Sequence, residues 1–315
     1  MAGYGHSHAL PVGSKLKFGI LLSAIILAAE LIGGFASNSL ALLSDAGHVF
    51  TDMVALTLSW YAVRQAQRPP SHKMTFGYHR IGVLIAIVNA LMIFGIGYFI
   101  FSEAYHRFTE PPNVNSGLMV LVAAVGLAAN LFMASWLRSE QKGNLNVRSA
   151  FWHVMGDALA SVGVIIGGII IMLTGLVVVD VVVSVIIGLI ILVAAWQIFR
   201  EGLRVLLEAT PKEIDIAKIE ASLKGIQGVK GIHHVHVWSI SPEIHAMSCH
   251  VLIDDCPTSQ ANRIRQNIED VLLKLYDLNH ATLQMECSQC RTNDFFCQLT
   301  AGAEEGHHHE EGDKH

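Results

Sequence analysis

The chain has 315 residues, of which 52% are hydrophobic and 15% charged, and its mean hydropathy is +0.46. This composition is too apolar for an ordinary soluble domain and indicates an integral, multi-pass protein of a lipid bilayer. The formal net charge is −5, but basic residues cluster between the apolar runs, whereas residues 301–315 are acidic and rich in histidine. The charge therefore gives no sign of nucleic-acid binding, and we expect no nucleic-acid partner.

Six apolar segments follow one another from the N-terminal part of the chain onward. They span roughly residues 16–36, 40–63, 81–106, 116–137, 150–173 and 177–199. A helix needs about 20 residues to cross the hydrocarbon core of a bilayer, so each segment is long enough to do so. The sequence therefore predicts a membrane-embedded, all-α bundle of six transmembrane helices. The first, second and fifth of these segments are interrupted by acids or histidine.

The basic residues in the connections predict the orientation of this bundle. Lys and Arg are concentrated before the first segment, in the second and fourth connections and after the sixth segment, whereas the first and fifth connections have none and the third has only Arg107. Because cytoplasmic loops of membrane proteins carry an excess of Lys and Arg, both termini are expected in the cytoplasm. The short connections favour a bacterial inner (plasma) membrane over an organelle membrane.

After Glu208 the composition becomes that of a soluble domain. Helical spacing of Ile and Leu, two alternating stretches, an amphipathic helix and a last strand predict the order α-β-β-α-β over about eighty residues, with the helices on one face of a sheet. The predicted domains are a cytoplasmic N-terminal tail (1–15), a six-helix transmembrane domain (16–205), a cytoplasmic α+β metal-binding domain (206–290) and a flexible tail rich in Cys, His and acids (291–315).

The same pattern, His-x-x-x-Asp, occurs in two of the apolar segments. His48 and Asp52 lie in the second segment, and His153 and Asp157 lie in the fifth. Residues four apart share one face of a helix, so two facing helices would bring together two imidazoles and two carboxylates. Four ligands of this kind suit a tetrahedral divalent ion. Zinc is the best candidate, since magnesium and calcium prefer more oxygens and Cu(I) prefers sulfur.

The residues in these segments also have structural interpretations. A single buried histidine in a helix is more often a hydrogen-bonded core residue than a metal ligand. Two copies of the motif in helices almost free of charge favour the metal site, because ionisable residues inside a membrane are costly and usually functional. Asp45, one turn before His48, is either an acid lining the same cavity or a helix-end group. Glu30 could face that cavity, although packing against a neighbouring helix is the simpler expectation.

Five stretches of the sequence carry a resemblance to a known family. They are SNSLALLSDAGHVFTD, FGYHRIGVLIAIVNA, AFWHVMGDALASVGVII, VHVWSISPEIHAMSCHV and ATLQME. From about residue 16 to 287, the chain resembles the zinc-transporter branch of the cation diffusion facilitator family. The resemblance implies six helices, a cytoplasmic metallochaperone-like (ferredoxin-like) domain, a homodimer, and efflux of zinc from the cytoplasm in exchange for protons. It also implies that the positions matching His48, Asp52, His153 and Asp157 bind the transported ion.

The same resemblance implies a regulatory zinc site in the cytoplasmic domain. It maps His233, His250 and Glu286 onto that site, so zinc is expected both as the transported ion and as a regulatory one. Alternatively, several of the histidines of this domain are simply exposed on strands. Strict alternation along a strand would put His234 and His236 on the face opposite His233.

Relatives in the family suggest two further metal sites. Cys287 and Cys290 form a C-x-x-C pair, which in the cytoplasm favours metal binding or a free dithiol over a disulfide. Some relatives complete such a site with N-terminal ligands, for which His6 and His8 are the candidates here. His79, in the FGxH pattern before the third segment, matches a transit site between the membrane and cytoplasmic domains of some zinc relatives.

The predicted ligands also suggest what drives the ion, and they leave two other functions open. A free His has a pKa near 6.5 and a free Asp near 3.9, so protons compete with a metal for these side chains. We therefore predict a secondary active metal/proton antiporter that works by alternating access, and not an enzyme. The alternatives are a metal-dependent membrane enzyme, which would need an open coordination position, and a membrane-embedded metal sensor.

Overall fold

The computed structural model describes residues 14–138, 145–288 and 295–296. The chain divides between Leu203 and Arg204 into two compact units. The N-terminal unit is helical, and the C-terminal unit combines helices with a small sheet.

The described part of the N-terminal unit contains six long helices. They are α1 (Ser14–Ser37), α2 (Leu40–Ala66), α3 (Arg80–Thr109), α4 (Ser116–Arg138), α5 (Leu145–Thr174) and α6 (Val178–Leu206). All of them except α2 contain a stretch that is long and apolar enough to cross a membrane. The structure thus confirms five apolar helices of membrane-crossing length in the described part of the chain, and the sixth predicted span stays a prediction.

Helix α2 differs from the other five in polarity and not in length. Its 27 residues correspond to about 40 Å of helix, more than a bilayer core requires. Asp45, Asp52 and Arg64 make it less apolar than its neighbours. Large apolar side chains such as Leu56 and Trp60 are nevertheless exposed on its surface, as they are on the other helices. The helix that carries half of the predicted ligands is therefore the most polar of the bundle.

The start of α2 is fixed by a buried carboxylate from another helix. Ser39 caps α2, since its Oγ accepts a hydrogen bond from the Leu42 amide at 3.2 Å and donates one to Asp180 Oδ1 at 2.6 Å. Asp180, in the first turn of α6, also accepts hydrogen bonds from the amides of Leu40 (2.7 Å) and Ala41 (3.2 Å). One carboxylate thereby satisfies three donors at the N-terminus of α2, where the helix dipole favours a negative charge.

Arg107 of α3 holds the same end of the bundle. Its guanidinium donates to the Asn38 carbonyl (2.6 Å), to Asn38 Oδ1 (3.1 Å) and to Glu103 Oε1 (2.9 Å), and it lies 3.8 Å from Asp180. Asn38 separates α1 from α2 and adopts a left-handed backbone conformation (φ 55°), which Asn tolerates better than most residues. The turn between α1 and α2 is thus held by charged groups of α3 and α6.

The C-terminal unit has the element order α-β-β-α-β that the sequence predicts. Its elements are α7 (Ile216–Lys224), β1 (Val229–Ser241), β2 (Ile244–Ile253), α8 (Thr258–Tyr276) and β3 (His280–Glu286). The strands form a sheet in the order β1-β2-β3, in which β1 and β2 are antiparallel and β2 and β3 are parallel. The assignment of this sheet to a ferredoxin-like fold stays a prediction.

Helices α7 and α8 cover one face of the sheet. The apolar core combines buried residues of both helices with alternate strand residues, among them Ile219, Leu223, Ile264, Ile268, Leu272, Val237, Met247 and Val251. Because successive strand residues point to opposite faces, His250 and Glu286 lie on the face away from these helices. The sheet therefore has an apolar face and a polar face, and the predicted ligands are on the polar one.

Cys249 belongs to this core. It has no cysteine partner at metal-ligand spacing in the sequence, which predicts a packing residue, and its side chain is buried in the apolar cluster. Burial raises the pKa of its thiol to about 12. The reactive thiolate is therefore absent at neutral pH.

Asp180→Ala is expected to destabilise the N-terminal unit. The substitution leaves the Ser39 hydroxyl and two amides of α2 buried without their acceptor, which lowers the free energy of unfolding by about 2–4 kcal/mol. The midpoint of thermal unfolding should fall by about 5–10 °C, measured by intrinsic fluorescence on purified protein in detergent. Glu110→Ala, at an exposed position, is the control. Equal midpoints for the two variants would contradict this role of Asp180.

Cys249 is expected to resist alkylation in the native protein. At about pH 8 a maleimide should modify the exposed Cys287 and leave Cys249 unmodified, as peptide mapping by mass spectrometry would show. Burial raises the pKa of the Cys249 thiol from 9.0 to about 12, so the thiol's contribution to stability is present below pH 9 and is lost as the pH rises toward 12. Native labelling of Cys249 as fast as that of Cys287 would show that the core does not protect it.

Candidate metal centre

Helices α2 and α5 bring the two His-x-x-x-Asp motifs together. Within α2, His48 Nε2 lies 3.6 Å from Asp52 Oδ2, and within α5, His153 Nε2 lies 3.9 Å from Asp157 Oδ2. Between the helices, His48 Nε2 lies 3.4 Å from Asp157 Oδ1. The second cross-helix distance, from His153 Nε2 to Asp52 Oδ2, is 3.2 Å. These four residues, called the α2–α5 site below, therefore face one another as the i, i+4 spacing predicts.

The ligand atoms of three residues of the α2–α5 site, His48, Asp52 and Asp157, lie within 4.8 Å of one another, and His153 falls outside this compact group. Three of the four nitrogen–oxygen distances, 3.4, 3.6 and 3.9 Å, exceed the ordinary hydrogen-bond range of about 2.7–3.2 Å. Ligand atoms about 2.0–2.2 Å from a tetrahedral zinc ion lie about 3.3–3.6 Å from one another. His48, Asp52 and Asp157 could therefore share one ion, whereas His153 lies within hydrogen-bond distance of Asp52.

Part of the α2–α5 site is buried without other polar partners. His48 Nδ1 and Asp157 Oδ1 are buried and form no hydrogen bond with the described residues. The side chain of Asp157 is 14% exposed and that of His153 is 50% exposed, so the site is closed on one side and open on the side of His153. A buried carboxylate without a partner is costly in an apolar bundle, and a dication removes that cost.

Two further acids lie beside the α2–α5 site. Asp45 is buried in the second turn of α2, whose cap is Ser39, so it is not a helix-end group. It interacts electrostatically with His48 and Asp157. Glu30 of α1 is also buried and interacts with Asp45 and Asp157. Neither acid belongs to the compact group of ligand atoms in the α2–α5 site.

The polar face of the C-terminal sheet brings together the second predicted set of ligands. His233 Nε2 lies 3.2 Å from Glu286 Oε2, and His250 Nδ1 lies 2.9 Å from Glu286 Oε1. His233 Nε2, His250 Nδ1 and Glu286 Oε2 are buried and form no hydrogen bond of good geometry with the described residues. These three residues, called the sheet site below, could hold a metal ion through two nitrogens and one oxygen. A fourth tetrahedral position would remain for another ligand.

The prediction that His234 and His236 lie on the opposite face from His233 is wrong. His233 pairs with His250 and His236 pairs with Ser248, so three steps along β1 correspond to two along β2. The extra residue is a β-bulge, within which His234 adopts a left-handed conformation (φ 51°). As a result the ring of His234 lies 4.7 Å from that of His250. Alternation failed because one inserted residue reverses the face of the residues that follow it.

The other predicted ligands lie apart from these two groups or outside the described residues. His79 caps α3 without a side-chain hydrogen bond to that helix. It belongs to neither of the two groups of potential ligand atoms in the described part of the chain. Cys287 is exposed with a free thiol, and its predicted partners Cys290, His6 and His8 lie outside the described residues. This last site therefore stays a prediction.

Two residues that the sequence analysis does not single out have a clear place in the structure. Asp180 caps α2, and Ser161 is buried on α5 beside Asp45. An acid at the start of the last apolar segment was a visible signal for Asp180. For Ser161 the signal was its position four residues after Asp157, which extends the polar face of α5 by one turn.

Two protein-family models match the chain. The model of the cation efflux transmembrane domain matches residues 16–207, and the model of the cytoplasmic domain of cation efflux proteins matches residues 211–288. The first model includes both helices of the α2–α5 site, and the second includes all three residues of the sheet site.

Several relatives are similar over nearly their whole length. The metal cation efflux system protein CzcD of Cupriavidus metallidurans is 39% identical over 93% of this chain and 93% of its own. The zinc transporter ZitB of Pectobacterium atrosepticum is 40% identical over 99% of this chain and 97% of its own. The cadmium, cobalt and zinc/H(+)-K(+) antiporter of Bacillus subtilis is 36% identical over 97% of this chain and 99% of its own. The chain is therefore a multi-pass membrane protein that belongs to the cation diffusion facilitator (cation efflux) family.

Proposed function

We propose that this chain is a zinc efflux transporter that moves Zn²⁺ out of the cytoplasm in exchange for protons. The observation that carries the proposal is the α2–α5 site, where two imidazoles and two carboxylates from different helices face one another. Relatives support the same function, since one is a zinc transporter and another a cadmium, cobalt and zinc/H(+)-K(+) antiporter by name. The family is one of cation efflux proteins, so the chain is a transporter and not an enzyme.

The ligand chemistry favours zinc among the divalent ions. Two nitrogens and two oxygens suit zinc, whereas magnesium and calcium prefer sites made of oxygen alone. With both carboxylates ionised and both imidazoles neutral, the ligands carry two negative charges, which a dication neutralises inside the bundle. Cadmium and cobalt share that charge, so the site selects divalent transition metals as a class, and zinc fits its ligands best.

Each helix supplies half of the ligands, and this is the proposed physical basis of alternating access. His48 and Asp52 move with α2, whereas His153 and Asp157 move with α5. A relative movement of the two helices therefore separates the ligands in pairs and weakens the hold on the ion. Protons bind the same nitrogens and oxygens and promote release. Zinc binds from the cytoplasm as protons leave, and it is released on the other side as protons bind.

The proposed setting is a bacterial inner membrane that all six helices cross. The length of α2 supports its inclusion, and the clustering of Lys and Arg in alternate connections supports placing both termini in the cytoplasm. The polar character of α2 comes in part from the ligands it carries and does not argue against a membrane position. The chain is proposed to act as a homodimer, as the family resemblance implies.

The sheet site is proposed to bind zinc for regulation. Its three ligands come from β1, β2 and β3, so a bound ion would connect all three strands on the polar face of the sheet. Occupancy would then follow the supply of zinc in the cytoplasm. This site is also what favours the second candidate function, a membrane-embedded zinc sensor, in which the ion is detected and not moved.

Proteoliposomes that contain the purified chain are expected to take up zinc when their interior is made acidic. Protons leaving the vesicle drive zinc inward through the α2–α5 site, and a zinc-sensitive dye inside the vesicle measures the flux. Asp157→Asn keeps the shape of the side chain but removes its charge, so the flux should fall by at least about 10-fold. Glu110→Gln, the same kind of change at an exposed position, is the matched control and should transport like the wild type.

Three outcomes separate the candidate functions in this experiment. A wild-type flux that ignores the pH gradient would rule out proton exchange. Normal flux through Asp157→Asn would rule out the α2–α5 site as the transport site. A correctly folded wild-type protein that moves no zinc at all would favour the sensor.

Glu286→Gln is expected to remove one bound zinc ion per chain. The substitution takes away the charged ligand that both histidines of the sheet site approach, while the α2–α5 site is unchanged. Equilibrium dialysis of the full-length protein against zinc measures the number of bound ions. Thr282→Ala, an exposed residue on the same strand, is the matched control. Equal zinc counts for the wild type and Glu286→Gln would show that Glu286 holds no ion.

A further inference from the structure

Glu30 on α1 is a buried acid that the α2–α5 site does not use. Its side chain is 1% exposed, and its Oε2 forms no hydrogen bond with the described residues. An ionised carboxylate in such a place is costly unless a cation or several hydrogen-bond donors surround it. Glu30 therefore needs a charge partner or a proton.

The groups around Glu30 come from three other helices. Asp45 of α2, which is 3% exposed, and Asp157 of α5 both act on it through their negative charges. Ser161 of α5 is buried beside Asp45 and its hydroxyl interacts with the Asp45 carboxyl group. Helix α4 approaches at Gly126, where a Cβ would lie 3.0 Å from Glu30 Oε1 and 3.8 Å from Ser161 Oγ. Glu30 and Ser161 thus share a space that a larger residue on α4 would fill.

In the described parts of α1, α2, α4 and α5, no Lys or Arg side chain offsets the negative charge of Glu30, Asp45 and Asp157. The basic residues of α2 and α4 stand in the last turns, at Arg64 and Arg138. Of the residues around Glu30, Asp45 interacts electrostatically with a base, His48. Glu30 consequently faces two other acids and forms no ion pair with the described side chains of these helices.

The acidic cluster, defined as Glu30, Asp45 and Ser161, lies to one side of the α2–α5 site. Asp45 precedes His48 by three residues, and Ser161 follows Asp157 by four. The cross-helix pairs of the α2–α5 site show that α2 and α5 run in opposite directions. Both steps therefore lead about 4.5–6 Å toward the end of the bundle that contains the turn between α1 and α2. In the proposed orientation this is the side to which zinc leaves and from which protons enter.

We propose that Glu30 carries a proton that is exchanged for zinc, at a site separate from the metal ligands and formed with Asp45 and Ser161. This inference rests on the proposed function, because it assigns one of the exchanged protons to a residue. A metal ion is a poorer occupant, since the cluster has neither imidazole nor thiol and is not among the groups of described residues that could hold an ion. A proton needs one carboxyl oxygen and removes the buried charge.

The proposed exchange is a proton transfer driven by the charge of the transported ion. When zinc enters the α2–α5 site, its double positive charge disfavours the proton on nearby Glu30. The O–H bond breaks, the electron pair stays on the carboxylate, and the proton leaves with water toward the end of the bundle that holds the α1–α2 turn. When zinc departs, the carboxylate takes up a proton from the same side and becomes neutral again.

The test compares Glu30→Gln with the wild type in the full-length protein. Zinc is added to purified protein in weakly buffered detergent solution, a pH indicator counts the released protons, and equilibrium dialysis counts the bound zinc. Glu30→Gln should release about one proton fewer per zinc bound, because Gln has no ionisable proton. Its flux in proteoliposomes should also respond less to a pH gradient. The exposed Glu110→Gln should match the wild type.

Two outcomes separate a failure of the role of Glu30 from a failure of zinc/proton exchange itself. Equal proton counts for the wild type and Glu30→Gln would overturn the role of Glu30 and leave proton exchange in place. A wild-type zinc flux without any response to pH would remove the proposed function itself.

A second measurement applies if Glu30→Gln does not elute as a single folded species. In the wild type, dicyclohexylcarbodiimide reacts with protonated carboxyls in apolar surroundings, so mass spectrometry should find an adduct on Glu30 that decreases when zinc is bound. The absence of this adduct, or an adduct that zinc does not change, would overturn the proposal.

Discussion

The free-energy cost of placing charge inside an apolar helix bundle is the constraint on which the rest of this structure depends. An ionised carboxylate without a partner is strongly disfavoured there, yet the membrane unit buries Glu30, Asp45 and Asp180 almost completely. Each of these acids needs a partner that offsets its charge. The identity of that partner separates the acids that hold the fold together from those that take part in transport.

The partners are of three kinds, and they differ in how long they stay. Asp180 accepts hydrogen bonds from a hydroxyl and two backbone amides, which are fixed parts of the fold. The carboxylates of the α2–α5 site face imidazoles at distances suited to an ion, so their partner is the cargo itself, present for only part of a transport cycle. Glu30 Oε2 forms no hydrogen bond with the described residues, and the partner that we propose for this acid is a proton. A permanent partner for a buried carboxylate thus makes the fold rigid, whereas an exchangeable partner can couple the movement of two ions.

How much of this could be predicted from the sequence depends on the range of the interactions. The α2–α5 site rests on i, i+4 spacing within each helix, and the elements of the C-terminal unit rest on local periodicity, so both were accessible. The bulge at His234 was not, because it depends on one residue that the pattern does not mark. Asp180 lies 140 residues from the Leu40 amide that it caps. Glu30 meets Gly126 only through the packing of α1 on α4, which no local pattern encodes.

The hydrogen bonds at the start of α2 also have a mechanical consequence. A helix fastened at its first residues can tilt about that end but cannot easily slide along its own axis. At 1.5 Å per residue, His48 lies about 12 Å from Leu40, and Ala66 lies about 39 Å from it. A tilt that moves His48 by about 1 Å would then move the far end of α2 by about 3 Å. The helix would act as a lever with its pivot at Asp180, so small changes in ligand spacing would become large displacements at the opposite end.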